Sequence, residues 1–203
     1  MKKLLLIGLA GQKFSGKDTA ADGVAGCLRT SFAEPFKDML QAGLGLTREQ
    51  LYGSKKETPI DWLGNGKDVT PRYLMQSIGT EWGRLMVDPE IWVKLTKRYI
   101  QQWQGDCING HDLPQILLVT DVRHPAEAQM LREMGGVVVH VKRHHPMPSW
   151  KDFLRRLKAW LTQHSSEIPL AVEPEDEVIF NLGTIPELQE ALRSIIRKHK
   201  EKV

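Results

Sequence analysis

Three polar residues in a row, Lys17, Asp18 and Thr19, close the run GQKFSGKDT, where Gly11 and Gly16 are spaced as in the phosphate-binding pattern G-x-x-x-x-G-K-[ST]. A glycine-rich turn between a buried strand and a helix aims backbone N–H groups and the positive end of the helix dipole at one point, which suits a di- or triphosphate. Lys17 adds a point charge for the outer phosphates, and Lys13 and Ser15 lie in the same loop as further ATP-binding candidates. The pattern is broken at one position, because the hydroxyl expected directly after the lysine is displaced to Thr19 and Asp18 stands in its place. Two readings of Asp18 are open. A first-turn carboxylate favours the helix dipole by about 0.3–1 kcal/mol. Alternatively, since a carboxylate beside phosphates repels them unless a cation lies between, Asp18 and Thr19 hold Mg²⁺ or its waters. The second reading calls for another acid, and Asp121 ends the apolar run QILLVTD, where a strand-end carboxylate would face the metal from the neighbouring strand.

A phosphate loop does not say what receives a phosphoryl group. Arg72, Gln76, Gly79 and Thr80 are spaced i, i+4, i+7, i+8 and share one helical face, with Met75, Ile78, Trp82 and Leu85 on an adjacent one. A guanidinium, an amide, a bare backbone and a hydroxyl can hold a phosphomonoester and hydrogen-bond a base, although a solvated helix face has the same spacing. Arg143 ends a strand on the same edge as Asp121 if the sheet is parallel, which makes it a candidate for ATP contact. Lys37, just inside a second helix, suits either a phosphate contact or a solvated lysine.

The elements that must position these groups follow from periodicity. Residues 4–9 form an apolar run of strand length, and Ala20, Val24, Cys27 and Leu28 recur at helical spacing after the loop. A short strand is expected at 30–33, a helix at 36–42 opened by Pro35, and helices at 72–86 and 91–103. The segment 45–70, rich in Gly, Lys and turn formers, reads as a mobile surface lobe, and 104–114 reads as a loop. A strand at 115–121, a helix from Pro125 to Met134 stopped by Gly135-Gly136, and strands at 137–141 and 178–180 lead to a last helix. Thr184 and Glu187 form its capping box, and Leu188, Leu192, Ile195 and Ile196 line one face. Alternation of strand and helix in this order predicts an α/β fold with a mostly parallel central sheet. With 203 residues, one domain is expected, with a core at 1–45 and 104–203, an acceptor-binding insertion at about 46–103 and a lid at about 144–172.

Composition excludes several classes. The 28 Lys and Arg residues against 25 Asp and Glu give a net charge of +3, too mild for wrapping nucleic acid but suited to anionic substrates. No stretch approaches the roughly 20 apolar residues of a membrane span. The start, MKKLLLIGLAG, has the charge and apolar run of a secretory signal, but it passes straight into the glycine loop, so a strand is expected. Cys27 and Cys107 make neither a disulfide framework nor a metal knuckle, and a cytoplasmic protein is expected. The segment SWKDFLRRLKAWL has one apolar face with basic residues elsewhere, a pattern shared by membrane-surface helices and helices packed on a core.

The segments SGKDTAAD, FAEPFKDML, PRYLMQSIGTEWGRLMVDPEIWVKL, LLVTDVRHPAEAQMLREMGGVVVHVKR and HSSE, in this order, resemble the deoxynucleoside monophosphate kinases of tailed bacteriophages. The resemblance implies a three-layer P-loop NTPase fold with inserted acceptor-binding and lid segments. It implies Mg²⁺-dependent phosphoryl transfer from ATP to deoxynucleoside monophosphates for phage DNA replication, in the host cytoplasm, by an enzyme that is reasonably a homodimer. It also implies that Asp after the lysine is the family's form of the loop, with Lys17, Asp18 and Thr19 serving the donor phosphates and metal. Arg72 and Trp92 would contact the acceptor nucleotide, the indole offering a stacking surface. Asp121, Arg123 and Glu127 fall on the family's acid-x-Arg-x-x-x-Glu pattern beside the transferred phosphate and the acceptor sugar. Physical reasoning agrees for Asp121 and Arg123, since phosphoryl transfer needs a carboxylate–metal pair and a cation, but Glu127 equally suits a helix-surface acid. Arginines of the 150–161 segment would help close over ATP, and His164 and Glu167 match a family segment without a third ligand for zinc. The alternatives are another small-molecule P-loop kinase, such as one acting on dephospho-coenzyme A or a sugar acid, and a non-catalytic nucleotide-sensing or nucleic-acid-binding protein. The Arg72 helix argues against the first, and the set of acid, lysine and arginine against the second.

Overall fold

The computed structural model describes residues 4–64, 68–109, 113–143 and 170–201. Its strands are β1 Leu5–Ala10, β2 Leu28–Thr30, β3 Ile116–Val122, β4 Val137–Arg143 and β5 Glu177–Asn181. Its α-helices are α1 Lys17–Asp22, α2 Glu34–Leu44, α3 Arg48–Leu51, α4 Pro71–Gln76, α5 Ile91–Ile108, α6 Pro125–Glu133 and α7 Ile185–Lys200. The chain packs as two compact units, Met1–Ser31 with Gln102–Val203, and Phe32–Gln101.

In the first unit β1 is buried at every residue, as a strand covered on both faces must be. It sits at the centre of a parallel sheet ordered β2-β3-β1-β4-β5. On one face Leu5, Ile7, Leu9, Leu118, Val139, Val141 and Ile179 pack with Ala20 and Ala21 of α1 and Leu188, Leu192 and Ile196 of α7. On the other face α6 lies against β1 and β4, and Gly8 leaves room for Leu131 where any side chain would collide. Helix, sheet and helix make the three expected layers.

The second unit has its own core of Leu40, Leu46, Leu51 and Ile60, flanked by Leu63, Leu74, Met75 and Ile78. Two expectations change here. The unit begins at Phe32 instead of about 46, because α2 packs with it through Leu40. The segment read as a mobile lobe contributes Leu46, Leu51 and Ile60 to this core, and Thr47 and Gln50 form a capping box on α3. Its apolar residues are too scattered to show a period, so only tertiary packing reveals them.

Three helix boundaries also differ. The first helix ends at Asp22, before Gly23, and Leu28 belongs to β2, so part of the apparent helical period came from a strand. The second strand accordingly falls earlier than 30–33. The fourth helix keeps α geometry only to Gln76 and continues over Ser77–Val87 as a π-helix. Helix α5 runs on to Ile108, into residues expected as loop. Among the described residues no helix is long and apolar enough to cross a membrane. The lid expected at about 144–172 lies outside the described residues up to 169, as do the 150–161 segment, His164 and Glu167.

The turn into β5 is fixed by Asp176, whose fully buried carboxylate accepts bonds from Arg132 Nε at 3.0 Å and Nη2 at 2.7 Å and from the Glu173 N–H at 2.9 Å. His140 Nε2 lies 2.8 Å from the same carboxylate. Burial pushes the Asp176 carboxyl up, but Arg132, the Glu173 N–H and His140 outweigh it and leave the group below the usual carboxylate range. A folded pKa below the unfolded one gives stability that is present above the unfolded value, near 4, and is lost as pH falls through the folded value. Asp176→Ala should therefore lower unfolding free energy at neutral pH by about 3 kcal/mol in denaturant titrations, and should flatten the loss of stability below pH 4.

Candidate active site

After Ala10 the backbone turns through Gly11 and Gly16, at φ 153° and 102°, conformations that side chains rarely tolerate. Phe14, at φ 65°, sits at the exposed tip with the Lys13 ammonium 5.0 Å from its ring centre. Gly16 is the N-cap of α1 and brings no side chain to the first N–H groups of the helix. Lys17 is buried, and its Nζ donates to the Gly11 carbonyl at 2.8 Å and the Gln12 carbonyl at 3.1 Å. An ammonium has three N–H donors, so one remains for a phosphate. Burial lowers the Lys17 pKa; the charges of Asp18 and Asp121 oppose this and that of Arg123 adds to it. Asp18, Asp121 and Arg123 therefore all lie within electrostatic reach of Lys17.

The sheet register explains why. Ala10 pairs with Val122 and with His140, so β1, β3 and β4 finish along one edge. The loop, Asp121 with Arg123, and Arg143 all leave that edge, the usual ligand edge of a parallel sheet. Glu127 is only 1% exposed, and its Oε2 accepts the N–H groups of Arg123 at 2.7 Å and His124 at 3.0 Å. It is the capping-box acid of α6 and not a helix-surface acid. The signal was present in His124-Pro125-Ala126-Glu127, with proline in the first turn and Glu at the third helical position, but histidine is an unusual N-cap. The Ser15 hydroxyl is buried and has no hydrogen-bond partner among the described residues, while its carbonyl accepts Asn181 Nδ2 at 2.9 Å. Nothing in the spacing of the sequence pointed to Asn181.

In the second unit Thr70 caps α4, and Arg72, Gln76 and Thr80 are exposed. Gly79 does not share their face: it is buried beside Phe36, and its carbonyl accepts Trp92 Nε1 at 2.7 Å. The α spacing fails there because the helix widens after Gln76. Trp92 offers no stacking surface. It is 1% exposed, with Phe36 edge-on at 5.0 Å, Trp82 at 6.3 Å and Gly83 beneath the ring. An indole with so much apolar area is worth more as core than as a platform. Arg72 is ion-paired with Glu57, and Lys37 lies 4.1 Å from the Tyr52 ring centre.

A glycine loop between the central strand and a helix, with lysine, acids and arginine at one sheet edge, is the arrangement of the P-loop kinases. In agreement, a dephospho-CoA kinase from Campylobacter jejuni shares the fold over 97% of this chain and 98% of its own, with a TM-score of 0.52 and 15% identity. The model of the deoxynucleotide monophosphate kinase family matches residues 60–192. A protein of Acanthamoeba polyphaga mimivirus named for that activity is 32% identical over 205 residues, which cover 95% of this chain and 96% of the relative. The deoxynucleoside-5'-monophosphate kinase of Escherichia phage T5 is 27% identical over 203 residues, 68% of this chain and 77% of its own. The chain belongs to the deoxynucleotide monophosphate kinase family.

An ammonium attracts phosphate only while it is charged, and the Lys17 pKa lies below the ordinary 10.5. Measured as kcat/KM for ATP, activity should decline at high pH with an apparent pKa below that value, and Lys17→Arg should move the decline upward at reduced rate.

Proposed function

We propose that this enzyme transfers the γ-phosphoryl group of ATP to the phosphate of a deoxynucleoside monophosphate, giving the diphosphate and ADP, in nucleotide biosynthesis that feeds phage DNA replication. The observation that carries the reading is Lys17, buried in the loop and within reach of Asp18, Asp121 and Arg123, in a chain of this family. The backbone of Gly11 and Gly16 would cradle the donor phosphates, with Lys17 on the outer ones and Arg143 a further contact to ATP.

An acceptor oxygen attacks the γ-phosphorus as the bond to the oxygen bridging the β- and γ-phosphates breaks. A phosphomonoester has a second pKa near 6, so that oxygen is ionised at neutral pH and no general base is needed. Catalysis is then alignment and charge neutralisation by Lys17 and Arg123, with Glu127 holding the turn that carries Arg123. Asp18, Asp121 and Thr19 are hard oxygen donors suited to Mg²⁺, which commonly takes one or two carboxylates and completes its shell with phosphates and water. When bound, Mg²⁺ would neutralise charge on the β- and γ-phosphate oxygens.

Arg72, Gln76 and Thr80 are the groups we assign to the acceptor. The Glu57 carboxylate now on Arg72 occupies the place proposed for the acceptor phosphate. An exposed pair of this kind is worth about 0–1 kcal/mol, so a bidentate phosphate can replace it at little cost.

With Mg-ATP and a panel of deoxynucleotides, ribonucleotides, dephospho-coenzyme A and sugar acids, ADP release should depend on a deoxynucleoside monophosphate. Absence of any release that depends on a deoxynucleoside monophosphate would overturn the proposal, and equal turnover of ribonucleotides would remove the sugar preference. Arg72→Ala should raise KM for the deoxynucleotide roughly tenfold or more and leave KM for ATP within about twofold. Loss of ATP binding in that variant would contradict the acceptor assignment.

A further inference from the structure

We propose that Asn181 is a positioning residue for the donor nucleotide, holding the phosphate loop in its binding shape from the last strand of the sheet. This rests on the reading of the loop as the ATP site.

A loop that turns N–H groups toward an anion turns carbonyls away from it, and each buried carbonyl then needs a donor. Lys17 serves two of them, on Gly11 and Gln12. The carbonyl of Ser15 is served by Asn181, the final residue of β5, whose Nδ2 donates to it at 2.9 Å. That bond matters more than its length suggests. The peptide joining Ser15 to Gly16 is planar and trans, so its C=O and N–H point in opposite directions. Fixing the Ser15 carbonyl toward Asn181 therefore fixes the Gly16 N–H toward the opposite side, away from β5. Gly16 has φ 102° and no side chain of its own to hold it, and a Cβ there would collide with the Asn181 amide and crowd Leu188. The amide lies where that Cβ would be.

The contact is the first of three along one stripe. Gln189 Nε2 donates to the Thr19 carbonyl at 3.2 Å, and Arg193 Nη1 donates to the Gly23 carbonyl at 2.9 Å. Residues 15, 19 and 23 are spaced i, i+4, i+8, one face of the loop and α1, and all three donors come from β5 and α7. Gln189 and Arg193 hold the helix. Of these three donors, Asn181 is the one that holds the loop ahead of Lys17.

Two substitutions at this position and one control separate positioning from general stability. Asn181→Asp keeps the shape but turns an acceptor toward the Ser15 carbonyl, and Asn181→Ala removes the donor. Binding of a non-hydrolysable ATP analogue with Mg²⁺, followed by calorimetry, should weaken about tenfold or more in the first and about three- to tenfold in the second, with KM for ATP rising in parallel. KM for the deoxynucleotide should stay within about twofold. Arg193→Ala, at the far end of α1, should lower the melting temperature and leave analogue affinity unchanged. If the Asn181 variants bind the analogue like the parent while Lys17→Ala does not, the positioning role is wrong and the donor site stands. The role is equally wrong if Arg193→Ala weakens binding as much as they do. If Lys17→Ala also binds normally, the loop is not the donor site and both readings fall.

Discussion

A buried ammonium must be surrounded by oxygen, and Lys17 takes its oxygen from the loop that carries it. Two carbonyls of that loop are thereby committed, which requires the backbone to turn through glycine at positions 11 and 16. The central sheet sets where that turn begins. The central strand β1 is buried along its length so that the loop starts from a fixed point, and β3 and β4 end beside it so that Asp121, Arg123 and Arg143 leave the same edge. The charges around Lys17 oppose one another in their effect on it: the acids keep it protonated while burial and Arg123 favour the neutral form.

Two buried acids fix turns at the ends of the strands. Glu127 spends its carboxylate on the N–H groups of Arg123 and His124, and Asp176 ties α6 and β4 to the turn before β5. Both are buried acids with several donors each, the condition under which burying a carboxylate is tolerable. In the second unit Trp92 and Leu40 are buried in packed surroundings, while Arg72, Gln76 and Thr80 are left exposed. Arg72, proposed for the acceptor, is paired there with the exposed Glu57, and an exposed pair of this kind is only weakly held.

Local order was legible wherever one residue type has one physical use. The glycine and lysine spacing of the loop, the continuous apolar runs of β1, β3 and β4, and the Thr184–Glu187 capping box all appear in the structure as read. Readings failed where a side chain has two uses. Trp92 could stack or pack, and packing won because enough apolar surface surrounds it. Glu127 could be a surface acid or a cap, and the histidine at the cap position hid the motif. The helical face of Arg72, Gln76, Gly79 and Thr80 assumed a pitch that the π segment does not keep. Leu46, Leu51 and Ile60 lie in a stretch dominated by turn formers, and only their meeting with Leu40 identifies them as core.

By itself the sequence determined the α/β class and the glycine turn that joins the first strand to its helix, because these depend on spacing within a few residues of the chain. Tertiary structure decided which residues share an environment across long separations. It brought Asn181 to Ser15 and Asp176 to Arg132 and His140, and it drew the boundary of the second unit at Phe32. Hydrogen bonds of that kind leave no period or motif in the chain, since their geometry exists only after the sheet has set its strands side by side.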